Sequence, residues 1–114
     1  MTMTFTRYAP PQQVRMALEP YIAKLSSFTT ADEIRSFLQD EGVKGKCKAV
    51  SECALAEYIL RESGYSVHVG KYQIDSVLPI NDRMPFGRLC KTTNAMHDFI
   101  RMFDYGFYPE LMKK

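Results

Sequence analysis

The chain has 114 residues, 46% of them hydrophobic and 25% charged, with seven Phe, seven Tyr and a formal net charge of +2. That size and apolar content support one buried core without disulfide or metal staples and exclude a disordered chain. The small net charge gives no ground for polyanion binding by bulk charge, and three cysteines cannot all pair within one chain, which favours reduced thiols in a cytoplasmic protein.

Residues 1–11 read as an N-terminal arm. Met3 and Phe5 alternate like a strand, but no turn chemistry supplies a partner, and Pro10-Pro11 removes backbone donors. Neither a basic-then-apolar leader nor a run long enough to cross a bilayer is present in the sequence. Residues 12–114 are expected to form a single α+β domain.

From Gln12, the positions Val14, Ala17, Leu18, Tyr21, Ile22 and Leu25 keep a helical stripe. Pro20 predicts a kink, or a break near Glu19, because it lacks an N–H and crowds the carbonyl four residues back. Thr30-Ala-Asp-Glu33 is a capping box in which the Thr30 hydroxyl accepts from the Glu33 amide and the Glu33 carboxylate reaches back to the Thr30 amide. A second helix therefore starts there, carries Ile34, Phe37 and Leu38 inward, and stops at Gly42. A third helix follows Ser51, a plausible N-cap, with Leu55, Tyr58 and Ile59 as its main row and Ala54, Ala56 and Leu60 beside it. Gly64 ends it.

Residues 65–77 alternate around Gly70-Lys71, the signature of a tight hairpin. The expected register pairs Val69 with Tyr72 and Val67 with Ile74 on the apolar face, with His68 opposite Gln73. Residues 78–92 contain Pro79, Pro85 and Gly87 and show no clear period, so they read as a long connection, suspicious by its length as a binding loop. A fourth helix begins near Thr93 or Asn94, buries Met96, Phe99, Ile100 and Phe103, and stops at Gly106 before an aromatic tail. The expected fold is thus α+β: four helices, with one two-stranded antiparallel hairpin between the third and fourth.

The candidate chemistry is sparse. Cys53 falls near a helix start, where a thiolate is favoured, but Glu52 and Glu57 oppose ionisation. Cys47, Cys53 and Cys90 with His68 or His97 lack the close-spaced pairs of a zinc site, so neither a metal nor another cofactor is expected. His97, Arg101 and Asp104 share the polar side of the last helix, where Asp98 and Arg101 would add only ~0.2–0.5 kcal/mol. No catalytic constellation emerges, and the reading is non-enzymatic.

Binding is the remaining class. Residues 43–48 carry Lys44, Lys46 and Lys48 without an acid, and residues 78–92 carry Arg83, Arg88 and Lys91 against Asp82. With Phe86 and Tyr72 nearby, these two basic loops are candidates for an anionic surface or nucleic acid, provided the fold brings them together. Tyr105, Phe107 and Tyr108 are a second candidate surface, for a protein partner or a homodimer seam, although aromatic residues beyond a glycine stop also pack back onto their own helix.

Cys53-Ala-Leu-Ala-Glu-Tyr-Ile59 and Phe99-Ile-Arg-Met-Phe-Asp-Tyr-Gly-Phe-Tyr-Pro-Glu-Leu111 together resemble a family of small uncharacterised proteins of actinobacteria and their phages. Its members read Cys-Pro-Leu-Ala-Arg-Tyr-Leu, then a short strand pair, then Phe-Asp-x-Gly-x-Tyr-Pro-x-Leu. Ala54 replaces the usual Pro, and the loop from Pro79 to Cys90 is longer here. The resemblance covers about half of the chain and implies no particular activity. Its phage association implies an accessory protein that binds a host or defence protein, with nucleic-acid binding through residues 43–48 and 83–91 as the alternative.

Overall fold

The computed structural model describes residues 12–49, 52–77 and 85–113. The expected arm, Ser51 and Arg83 fall outside them. Within the described residues lie four α-helices, a three-stranded antiparallel sheet and a closing 3-10 turn.

Helix α1 (Gln12–Ser26) runs unbroken through Pro20 and buries Leu18, Ile22 and Leu25. The expected break near Glu19 does not occur. Pro20 leaves the Met16 carbonyl without its helical partner, but both residues are exposed, so water can take that bond. Helix α2 (Ala31–Asp40) has the capping box in a modified form. The Thr30 hydroxyl accepts from the Glu33 amide at 3.2 Å, while the Glu33 carboxylate accepts from the amide of Thr29, at 2.8 Å, one residue earlier than expected. At the other end Gly42 takes φ +73°, its amide donates to Gln39 O, and the Val43 amide donates to Leu38 O. Val43 and Leu38 are both buried, as in glycine stops that an apolar contact closes.

Helix α3 (Ala54–Ser63) buries Ala54, Leu55, Ala56, Tyr58 and Ile59, and Leu60 is exposed rather than part of the row. Helix α4 (Asn94–Asp104) is capped by Thr93, whose hydroxyl accepts from the Met96 amide at 3.1 Å. Its buried Phe99 stacks on Phe103 at 5.8 Å and on Tyr108 of the tail at 5.1 Å. The 3-10 turn Pro109–Leu111 then buries Leu111.

Strands β1 (Val67–Val69), β2 (Gln73–Val77) and β3 (Pro85–Lys91) form a meander in the order β1-β2-β3. The expected two-stranded hairpin is therefore corrected to three strands: the second half of the supposed long connection is β3. Its pairing with β2 shifts register twice, leaving Leu89 and Phe86 as unmatched residues. Each shift resets the alternation of side chains, which is why no period shows in the sequence.

The hairpin register also differs from expectation. Val67 pairs with Ser76, His68 with Asp75 and Val69 with Ile74, which makes Lys71-Tyr72, not Gly70-Lys71, the two turn residues. Moving the turn by one residue moves every pairing by two, so Val67, Val69 and Ile74 keep the apolar face and are buried. Tyr72 loses its expected place on that face and stands at the tip. Val67, Val69 and Ile74 join a single cluster with Leu18, Ile22, Leu38, Leu55, Ile59, Phe99, Ile100 and Phe103.

Candidate functional site at the hairpin tip

The first basic segment is shaped by one glycine. Gly45 approaches the start of α3 so closely that a Cβ on it would lie 2.3 Å from Ala54 N and 2.4 Å from the Cys53 carbonyl carbon. Its amide donates to Leu111 O at 2.8 Å, the Lys113 amide donates to its carbonyl at 3.0 Å, and the Lys46 amide donates to Glu52 O at 2.7 Å. The segment is thus wedged between α3 and the C-terminal tail. Lys48 takes a left-handed conformation, φ +60°, which an L side chain adopts at a cost. Its amide donates to Asp104 Oδ1 at 2.7 Å, which holds the residue there.

Lys48 and Lys71 line one depression of about 240 Å³, with Cys53, Val69, Ile100 and Asp104 among the other walls. Lys71 and Lys91 line the next, of about 410 Å³, with Tyr72, Gln73, Thr92, Thr93, Asn94 and His97. A third, of about 280 Å³, is lined by His68, Gly70, Lys71, Tyr72, Gln73 and Asp75. Lys71 is common to all three. The hairpin tip therefore connects the first basic segment to the end of β3, through a lysine that the sequence did not mark.

The tip is held in place by Thr92. Its hydroxyl donates to Lys71 O at 2.6 Å and its amide donates to Tyr72 O at 3.1 Å. Two adjacent turn carbonyls are thereby fixed against the strand that leads into α4. Tyr72 stacks on His97 of α4, with ring centroids 5.2 Å apart and planes 28° from parallel, yet it remains 73% exposed. The residues lining the largest of these three depressions include no carboxylate, and Thr93 and Asn94 bring the partially positive start of α4 to its edge.

Of the expected basic residues, Lys48 and Lys91 each share a depression with Lys71. Lys44 lines none of these depressions, and Lys46 faces Glu52 at 3.7 Å, an exposed pair that offsets part of its charge. Arg88 pairs through its backbone with Asp75 in the sheet. The aromatic surface is smaller than expected: Tyr105 and Phe107 are 74% and 63% exposed, but Tyr108 is buried against Phe99. The Gly106 stop forms as expected, with the Phe107 amide on Met102 O at 3.0 Å, while the Phe107 ring stays largely in water.

Cys53 does not assemble a nucleophilic site. It is 5% exposed, no histidine lines its depression, and burial pushes its thiol up to about 11, outweighing the two backbone amides that favour the thiolate. Cys47 donates to Phe103 O at 3.1 Å and is spent on structure. Among the described residues no three His, Cys, Asp or Glu side chains converge as metal ligands. Nor is any described helix long and apolar enough to cross a membrane.

Compared with family models, curated proteins and solved structures, the chain gives no match to any of them.

Proposed function

We propose that this protein acts by binding rather than by chemistry, and that the hairpin-tip face binds a nucleic acid as a polyanion. One observation carries the reading: Lys71 links Lys48 to Lys91 across adjoining depressions, the largest of which has no acidic wall. A phosphate chain laid along that line meets three lysines and the start of α4. With the ~0.7 counterions released per phosphate on a single strand, three contacts predict an affinity loss of about 18-fold between 50 and 200 mM salt. Titration of a labelled oligonucleotide across that range tests this directly. A signal that does not saturate, or one indifferent to salt, rejects it.

The exposed Tyr105 and Phe107 favour a second reading, in which the protein is a phage-type accessory factor that binds a host or defence protein. This agrees with the resemblance to actinobacterial and phage proteins. It predicts a saturable protein partner whose binding is lost in Tyr105→Ala and Phe107→Ala but retained in Lys71→Gln. The opposite pattern removes this reading.

A further inference from the structure

We propose that the hairpin tip is a stacking platform for an unpaired base, so that the ligand is single-stranded nucleic acid rather than duplex; this rests on the polyanion reading above and names its ligand more narrowly. The argument begins with an aromatic ring in an unusual place. Tyr72 is one of two residues in the turn itself, where a ring gains no burial, and it is 73% exposed. A ring left there by chance would swing freely. This one is backed by the His97 ring at 5.2 Å, and its backbone is fixed by the two Thr92 bonds. Stacking needs a π-face presented without further ordering, and these contacts supply one.

The surroundings match the other parts of a nucleotide. Lys71 precedes the ring and Lys91 lines the same depression, so cationic groups flank the position a base would take. Asn94 also lines that wall, and Gln73 does so with its amide nitrogen donated to Asp75 Oδ1 at 2.8 Å, which leaves the amide oxygen as its remaining acceptor. The depression, at about 410 Å³, lies within the range of small-ligand sites, roughly 300–1,000 Å³, and so has room for a nucleoside. A duplex keeps its bases stacked on each other and offers Tyr72 no free face, whereas an unpaired strand does. Charge alone would not discriminate between the two. The ring does.

The test is fluorescence anisotropy with labelled oligothymidylate and oligouridylate of about 12 nucleotides, a length within known single-strand site sizes, beside a duplex of equal length. The full chain and its variants are titrated at 50 and 200 mM salt. Expected are tighter binding of at least one single strand than of duplex, and a loss of about 5- to 150-fold in Tyr72→Ala. Tyr72→Phe should retain affinity, because the ring face and not the hydroxyl is used. Lys71→Gln should reduce the salt effect from about 18-fold to about 7-fold while leaving the single-strand preference. Equal affinity for duplex and single strands, with Tyr72→Ala unchanged, would overturn the stacking platform and leave the polyanion reading standing. Absence of saturable binding to every probe would overturn both. Tyr72 is exposed, and matching thermal unfolding of the variants would attribute any loss to the ring rather than to folding.

Discussion

Replacing Gly45 by alanine sets a methyl group against atoms that cannot yield. The new Cβ would lie 2.3 Å from Ala54 N, 2.4 Å from the Cys53 carbonyl carbon and 2.6 Å from Glu52 O, all of them backbone. Ordinary contact needs about 3.4 Å or more, so the segment and the start of α3 must part by about 1 Å. That movement stretches the Lys46–Glu52 backbone bond and, by pushing the segment toward the tail, misaligns the Gly45–Leu111 and Lys113–Gly45 bonds, which now measure 2.7–3.0 Å. At ~0.5–1.5 kcal/mol for each of the three bonds, the expected cost is about 1.5–4.5 kcal/mol. Urea unfolding followed by far-ultraviolet circular dichroism measures it. Gly42→Ala is the control: Gly42 has φ +73° with open space around it, so the substitution carries only the left-handed penalty of about 1–2 kcal/mol. Gly45→Ala within about 0.5 kcal/mol of the unchanged protein would show that the close approach is not a constraint and would refute the reasoning.

Two further outcomes follow from the same structure. Cys53 in the native protein should react with iodoacetamide at neutral pH far more slowly than a free thiol and reach the free rate only on unfolding, since burial keeps it protonated; rapid native labelling, read by mass spectrometry, would contradict the packing of α3. Glu33 is held below its ordinary carboxyl value, chiefly by the Thr29 amide and then by the Thr29 hydroxyl. Its folded pKa being depressed, its contribution is present above the unfolded pKa and declines as pH falls through the folded one. Acid titration of stability should therefore be shallower in Glu33→Gln over that window, and identical curves would remove the cap from the account.

Much of the helical frame was legible because its signals are local. Thr30 with Glu33, and the glycines at 42, 64 and 106, act through bonds to residues at most five positions away. The sheet was less legible because its determinants are distant in sequence. The turn sits at Lys71-Tyr72 rather than one residue earlier, and the hydroxyl of Thr92, 21 residues on, is bonded there; nothing in residues 65–77 announces that partner. β3 was hidden by its two register shifts. For the site, Lys48 and Lys91 were marked by charge clustering, but Lys71 was absorbed into a turn motif and His97 into the polar side of a helix. The pairing of Tyr72 with His97 needs the third strand to bring the turn to α4, so an error in one element concealed the other. Gly45 also left a trace: a glycine between Lys44 and Lys46 that no helix stop explains.

The outer strand carries a consequence for the company the protein keeps. Among the described strands β3 pairs only with β2, and although its Leu89 carbonyl accepts from Arg15 Nη1 at 3.4 Å, a strand with one unpaired margin invites pairing with another chain. Here that margin begins with Pro85, ends with Lys91 and is offset twice along its length. Proline lacks a donor, lysine repels its like, and each offset bends the ribbon out of the straight path that a foreign strand would need. Each of these features opposes growth of the sheet from neighbour to neighbour.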